Sequence, residues 1–448
     1  MPTNIAVLDD ITVEELLREC PPLEVPTDGV TEAQPSTLFY GWLMLPLAML
    51  IMIATSPGQT FGLAFFNTKF RAAFDLSQTR LSITYLVATV AASFAIPIIG
   101  GWVDRFGLRR SALVAVAAMA AACVFASQVQ GIVTLFFAFT LLRTVGPGSM
   151  TLMANNTLAS WFDRRLGLVS GIMQVGMAGA LALVPAGILV LIDAFGWRGA
   201  FLALGAIIAC VLIPLVLLFY RESPSEMGLQ PDGAADPSGG DDSDSASQGF
   251  AWGMDVEQAM QHRAFWILLA AAAVWALIGT GLVFHLDAIF QSNGMGLAES
   301  ARAMSCLAIG MGAMQIVGGL LADRLPLQWL LGVAIGLIAV SCVMLAMGQG
   351  GILIAAFAVY GAAQGIKTII AATAWARYFG RAHLGKIRGI SLTAAIAGSS
   401  VGPLIMGISA DYLGGFTPAL WLFTAMATVI SIAGFWATPP AVKHPVAG

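Results

Sequence analysis

Residues 100–110 read GGWVDRFGLRR, one acid and three bases within seven positions, set between the apolar runs LSITYLVATVAASFAIPII (81–99) and SALVAVAAMAAACVFA (111–126). Runs of this length and composition suit helices that cross a hydrocarbon core, which take about 20 residues each, and charges inside that core are costly. The quoted stretch therefore reads as a short basic loop at a membrane surface, joining two spanning helices. A weaker copy, GGLLADR at 318–324, sets Gly319, Asp323 and Arg324 as counterparts of Gly100, Asp104 and Arg105.

Working outward, the whole chain of 448 residues is 58% apolar and only 10% charged, with a mean hydropathy of +0.84. Soluble domains carry about 25% charged residues, so an ordinary soluble protein is excluded. Polar sequence gathers in residues 1–39, 221–262 and the last ten. What remains divides into twelve apolar spans: 40–66, 77–100, 111–127, 131–157, 166–192 and 197–220, then 264–290, 299–321, 327–347, 351–376, 386–411 and 416–438. The expected organisation is an N-terminal tail (1–39), a six-helix half (40–220), a linker (221–262), a second six-helix half (263–438) and a C-terminal tail (439–448). Residues 223–249, rich in Gly, Ser, Pro and Asp, are expected to be disordered because they cannot bury enough apolar surface.

The two halves are related. Residues 159–172 align with 376–390 allowing one insertion, and Asp193 pairs with Asp411 at the same offset. Two related six-span halves argue for alternating access, with a site between the halves near the membrane midplane.

The net charge of −4 hides an asymmetry: the first 39 residues hold eight acids against Arg18, and 221–262 hold nine against Arg221. The membrane portion is thus basic. With both termini on one side, 14 Lys and Arg fall on that side and five on the other, which predicts cytoplasmic termini. Those cations are scattered among apolar helices and form no face for nucleic acid. Cys20, Cys123, Cys210, Cys306 and Cys342 are widely spaced and read as packing residues, with no metal or disulfide pattern. No nucleotide loop or nucleophile constellation occurs, so no catalytic residue and no cofactor is expected.

GGWVDRFGLRR resembles the loop signature of the major facilitator superfamily, and GGLLADR its degenerate second copy. Within the superfamily, Tyr40-Gly41-Trp42, WFDRRLGLVSG (161–171) and Arg143 before Gly146 and Gly148 look like the monocarboxylate transporter family and its bacterial relatives. The resemblance implies an all-α membrane protein of twelve transmembrane helices in two pseudo-symmetric halves, and the expected setting is multi-pass in a bacterial inner membrane. It also implies a gating role for Gly100, Asp104, Arg105, Arg109, Asp323 and Arg324, whose charges would pair in one conformation and part in another. The rival reading of that loop is topology alone. The family's first-span lysine falls near Thr60, its eighth-span arginine near Gln315 and the acidic partner near Met311, so its charged site residues do not carry over.

Two ionisable residues lie far from any span end, Arg143 and Lys367, with no Asp or Glu at similar depth. Two deep cations need a counterion, and a carboxylate substrate would supply it. Arg143 reads equally as a substrate contact or as a bond to neighbouring helix carbonyls; Lys367 reads as a site residue or as a snorkelling side chain. Gln59, Asn155, Asn156, Gln174 and Gln364 add amides at plausible depth, each a candidate contact or a helix-to-helix hydrogen bond. Gln59 stands out because Pro57 and Gly58 loosen its helix. His285 and Asp287 near the end of the seventh span are proton-coupling candidates, or a gate. The runs from Gly176 to Gly179 and from Gly398 to Pro403 read as rocking contacts. The expected function is secondary active transport of a small organic anion, a monocarboxylate or related acid, by a monomer in the lipid bilayer, coupled to protons and directed inward. The alternatives are an exporter of amphipathic compounds and a non-transporting membrane sensor on the same scaffold.

Overall fold

Each apolar run folds as a helix because hydrocarbon leaves backbone N–H and C=O groups no partner outside the segment. The computed structural model describes residues 39–162, 165–227, 229, 231–232, 253–322, 324–380 and 383–440. In chain order the first half holds α1 (Gly41–Ile53), α2 (Thr60–Phe74), α3 (Gln78–Phe106), α4 (Leu108–Ser127), α5 (Ile132–Arg143), α6 (Thr151–Trp161), α7 (Leu166–Ile207) and α8 (Ile213–Phe219). The second half holds α9 (Val256–Met260), α10 (Arg263–Phe284), α11 (Leu286–Ser292), α12 (Leu297–Ala322), α13 (Leu327–Met347), α14 (Gly351–Phe379), α15 (Leu384–Tyr412) and α16 (Thr417–Gly434). Among the described residues, eleven helical stretches are long and apolar enough to cross a membrane. One of them, Leu168–Phe219, bends at Gly196, whose φ of 69° only glycine adopts freely, and so makes two spans, twelve among the described residues.

The breaks follow the sequence. Pro57 cannot donate to a helix ladder, and Ser56–Gly58 forms a 3-10 turn that splits the first span into α1 and α2. That span runs on to Phe74, eight residues beyond the sequence expectation of 66. Pro147 sits in a π-helical stretch, Thr144–Met150, that joins α5 to α6. Gly107, at φ +83°, lets α3 reverse directly into α4, so the charged loop that decided the fold is a one-residue hinge between helices.

The linker differs from the expectation at both ends. Pro224–Met227 forms a 3-10 turn, and the Asp232 N–H donates to the Trp161 carbonyl at 3.1 Å. At the other end Asp255 and Gln258 cap α9 reciprocally, and the Met254 N–H donates to the Phe379 carbonyl at 2.8 Å. The rest of the expected disordered stretch lies outside the described residues.

Within the second half, glycines set the helix spacing. A Cβ on Gly361 would strike the Leu307 carbonyl, and one on Gly365 the Met311 carbonyl, so α12 and α14 meet backbone to backbone. Gly398 and Gly402 likewise abut the Ala273 and Leu277 carbonyls of α10. Small residues permit such approach where lipid supplies no hydrophobic drive. The 398–403 run, expected to serve rocking contacts, thus packs inside its own half.

Hydrogen bonds between the halves gather at one end, opposite the 104–110 loop. Asn67 Nδ2 donates to the Phe284 carbonyl at 2.7 Å, and Thr68 Oγ1 to Asp287 Oδ2 at 2.5 Å. Ser82 Oγ meets His285 Nε2 at 3.1 Å, and Asp411 accepts from the backbone N–H groups of Gln78 and Thr79. Toward the loop end, Phe94, Ile98, Leu168, Ile316, Leu320 and Leu392 on α3, α7, α12 and α15 are exposed.

Candidate substrate site

Between the halves lies a cavity of about 450 Å³. The first half contributes Gln59, Thr60 and Phe61 from the broken first span, and Gln174, Met177 and Leu181 from α7. The break matters here: Gln59 is in extended backbone (φ −76°, ψ 152°) between two helical pieces, and its Nε2 donates to Thr55 Oγ1 at 3.1 Å. The second half contributes Trp275 and Thr280 from α10, Gln315 from α12, Tyr360, Gln364 and Thr368 from α14, and Ser399 from α15, among apolar neighbours. No acid, lysine or arginine is among these lining residues.

The two deep cations stand behind aromatic rings. The Arg143 guanidinium carbon is 4.9 Å from the centre of the Tyr85 ring, and Tyr85 Oη is 2.8 Å from Thr60 Oγ1 on the cavity wall. Arg143 also donates weakly to the Gly58 carbonyl, at 3.5 Å, and its Nε is buried without a partner. Lys367 Nζ is 3.3 Å from the centre of the Trp275 ring, and Trp275 lines the cavity. Lys367 itself lines a second cavity, in the C-terminal half. Lys367 thus meets a ring of the cavity wall and Arg143 a ring bonded to that wall, contacts worth about 1–2 kcal/mol each to a partly desolvated cation. Trp275 Nε1 and Gln364 Oε1 are buried without a hydrogen-bond partner, a donor and an acceptor on the same cavity wall.

Of the sequence candidates, Gln59, Gln174 and Gln364 therefore meet at the central cavity. Asn155 is exposed and donates to the Thr151 carbonyl at 2.8 Å, and Asn156 lies on the same short helix; neither lines the cavity. His285 and Asp287 lie at the seam, His285 Nε2 2.9 Å from the Pro403 carbonyl and Asp287 bonded by Thr68 and Gln291. At the loop, Arg109 donates to the Leu217 carbonyl at 2.8 Å and the Arg105 guanidinium lies 5.4 Å from the Phe106 ring centre. Gly100 and Asp104 belong to the last turns of α3, Arg324 is exposed, and Asp323 lies outside the described residues.

A sequence model described as Major Facilitator Superfamily matches residues 38–309 and 287–448. The chain belongs to the major facilitator superfamily. Members of this family are transporters and not enzymes, and this one is a multi-pass integral membrane protein. Monocarboxylate transporter 11 of Homo sapiens is 26% identical over 403 residues, covering 86% of this chain and 80% of that protein. Monocarboxylate transporter 10 of Homo sapiens is 26% identical over 349 residues, covering 73% and 64%. Among solved structures, a D-xylose-proton symporter superposes with a TM-score of 0.68 at 16% identity, over 90% of this chain and 98% of that one. A bacterial homologue of the human lysosomal transporter Spinster, in an inward-facing unoccupied conformation, gives 0.66 at 17% identity, over 89% and 97%.

For this major facilitator protein the sequence left unmarked the two aromatic residues that hold the deep cations. Nothing in the sequence sets Trp275 and Tyr85 apart from other aromatics of the apolar spans; only their placement over cations does. Thr60, Gln315 and Met311, where monocarboxylate transporters carry charges by the resemblance above, all line the cavity here.

Proposed function

We propose that this transporter moves a small organic acid, of the monocarboxylate class, by alternating access with proton-coupled uptake. The observation that carries the reading is Lys367, a cation deep in α14 whose only contact of charge among the described residues is the Trp275 ring. An ammonium held only by a ring still favours an anion, and charge-assisted hydrogen bonds are about twice as strong as neutral ones. The curated relatives named as monocarboxylate transporters support the same class. A cavity of about 450 Å³ suits a compact solute, and its amides, hydroxyls and the free Trp275 N–H offer orienting contacts. The positive-inside count supports cytoplasmic termini, and the membrane in this reading is a bacterial inner membrane. On that orientation the sealed end faces outward and the exposed apolar faces line an inward opening.

The test is uptake of labelled monocarboxylic acids into proteoliposomes, with and without an imposed acid-outside gradient. Accumulation that rises with the gradient is expected. Lys367→Gln should weaken acid binding by about 1–3 kcal/mol and leave a neutral amide of the same shape unaffected. Equal loss for acid and amide, or no uptake of any acid by folded protein, overturns the reading.

A further inference from the structure

The second cavity, of about 320 Å³, is built entirely within the C-terminal half, between α10, α13, α14 and α15. Its wall is apolar apart from Lys367, Arg388, Ser391 and the indole of Trp375. Lys367, Arg388 and Ser391 are among its lining residues, and none of its lining residues is an acid. Arg388 lies near the start of α15, toward the loop end, whereas the far end of the same helix carries Asp411 in the seam. Ala395 lines both cavities. Lys367 of α14 lines the second cavity and sits on the ring of Trp275 of α10, which lines the central one.

Lys367 holds the junction. Its ammonium has no hydrogen bond or ion pair among the described residues and rests on a ring that belongs to the central cavity. A ring face offers the ammonium a quadrupole, whereas a carboxylate offers full negative charge and hydrogen-bond acceptors. A small anion in the second cavity would thus compete directly with Trp275 for the same three donors.

We propose that this cavity is a second anion station on the loop-end side of the central site, and that a small carboxylate bound there draws the Lys367 ammonium off the Trp275 ring. The inference rests on the organic-acid reading above, yet its test reads binding and not transport. With its charge partner gone, Trp275 is released to reorient between the two cavities, which makes it the partition that a passing acid opens for itself.

The full chain, purified in detergent, is titrated at neutral pH with sodium lactate and with lactamide as the neutral isostere. The signal is the tryptophan fluorescence of the unmodified chain minus that of Trp275→Phe. Lactate should change the Trp275 component saturably, and lactamide should not. Lys367→Gln should abolish that response and weaken lactate binding at least tenfold by calorimetry; Lys367→Arg, which keeps the charge, should stay within a few-fold. Arg388→Gln should weaken binding several-fold while keeping the Trp275 response. Unchanged lactate affinity in both Lys367→Gln and Arg388→Gln overturns the station, as does the absence of any saturable response to lactate, acetate or phosphate. Lactate binding with the expected pattern in a protein that carries no acid into proteoliposomes would overturn the transport reading alone.

Discussion

Asp411, in the last turn of α15, accepts a hydrogen bond from the backbone N–H of Thr79 at 2.6 Å, and its other oxygen accepts from the Gln78 N–H at 3.2 Å. A carboxylate of one half thus caps the first turn of α3 in the other, 332 residues away in sequence. The first N–H groups of a helix have no partner within it, and its positive dipole end favours an anion there. Arg71 adds favourable charge from α2.

Replacing Asp411 by Asn keeps the shape and removes the charge, and should weaken the closed end by about 0.5–2 kcal/mol. Spin labels at the exposed positions Arg80 and Tyr412 should then show a larger population at long distance than the parent protein. Superimposable distance distributions would remove the cap from any account of closure.

Thr68 and Asp287 join α2 to α11 in a part-buried setting. Thr68→Val leaves Asp287 with Gln291 as its remaining hydrogen-bond donor, at 3.1 Å, and should cost about 1–3 kcal/mol by thermal unfolding in detergent. Adding Asp287→Leu to that variant should recover part of the loss, because the stranded carboxylate goes with it. Strict additivity of the two changes in a double-mutant cycle would count against the pairing.

Gly361→Ala should destabilise by about 1–3 kcal/mol, since the new methyl meets the Leu307 backbone and α12 and α14 must separate. Gly312→Ala, on the same α12 and facing open space, should be neutral or slightly stabilising. Equal melting temperatures for the two variants would mean that the backbone contact is not a constraint.

Tyr85 serves two neighbours, its ring beneath Arg143 and its hydroxyl on Thr60. Tyr85→Phe should therefore cost only about 1 kcal/mol of stability, and Tyr85→Leu distinctly more, because the guanidinium then loses its ring as well as packing. If the two variants melt together, the ring contributes nothing to holding Arg143.

The spans were legible in the sequence because hydrocarbon demands long apolar helices, and the GGWVDRFGLRR loop marked where one ends and the next begins. Pro57 and Gly58 announced the broken first span that frees Gln59. The capping pattern of Asp255 and Gln258 was equally plain, but the composition around it reads as disorder and masked it. Depth also singled out Lys367 and Arg143 as cations far from any span end. What it could not supply was the partner: Trp275 stands 92 residues from Lys367, and nothing local in either segment encodes the meeting. The same holds for Asp411, which counts by position as one more acid at a helix end. Its role exists only once two halves are folded and brought together.

Asp193, the repeat counterpart of Asp411, is exposed, and the N–H of Gly296 before α12 is taken instead by Glu299 of the same helix, at 3.0 Å. Across α7 and α12 the halves touch through Ser305 Oγ on the Ala182 carbonyl, at 2.8 Å, with no charge involved. The closed end is therefore fastened as a door is, with its charged latches, Asp411 holding α3 and Asp287 holding α2, away from an uncharged pivot at the α7–α12 edge. A door latched at one edge swings; it does not lift. On opening, α3 and α15 should sweep the widest arc while α7 and α12 turn almost in place, so the first water to reach the central cavity from that end would come in along the latched edge.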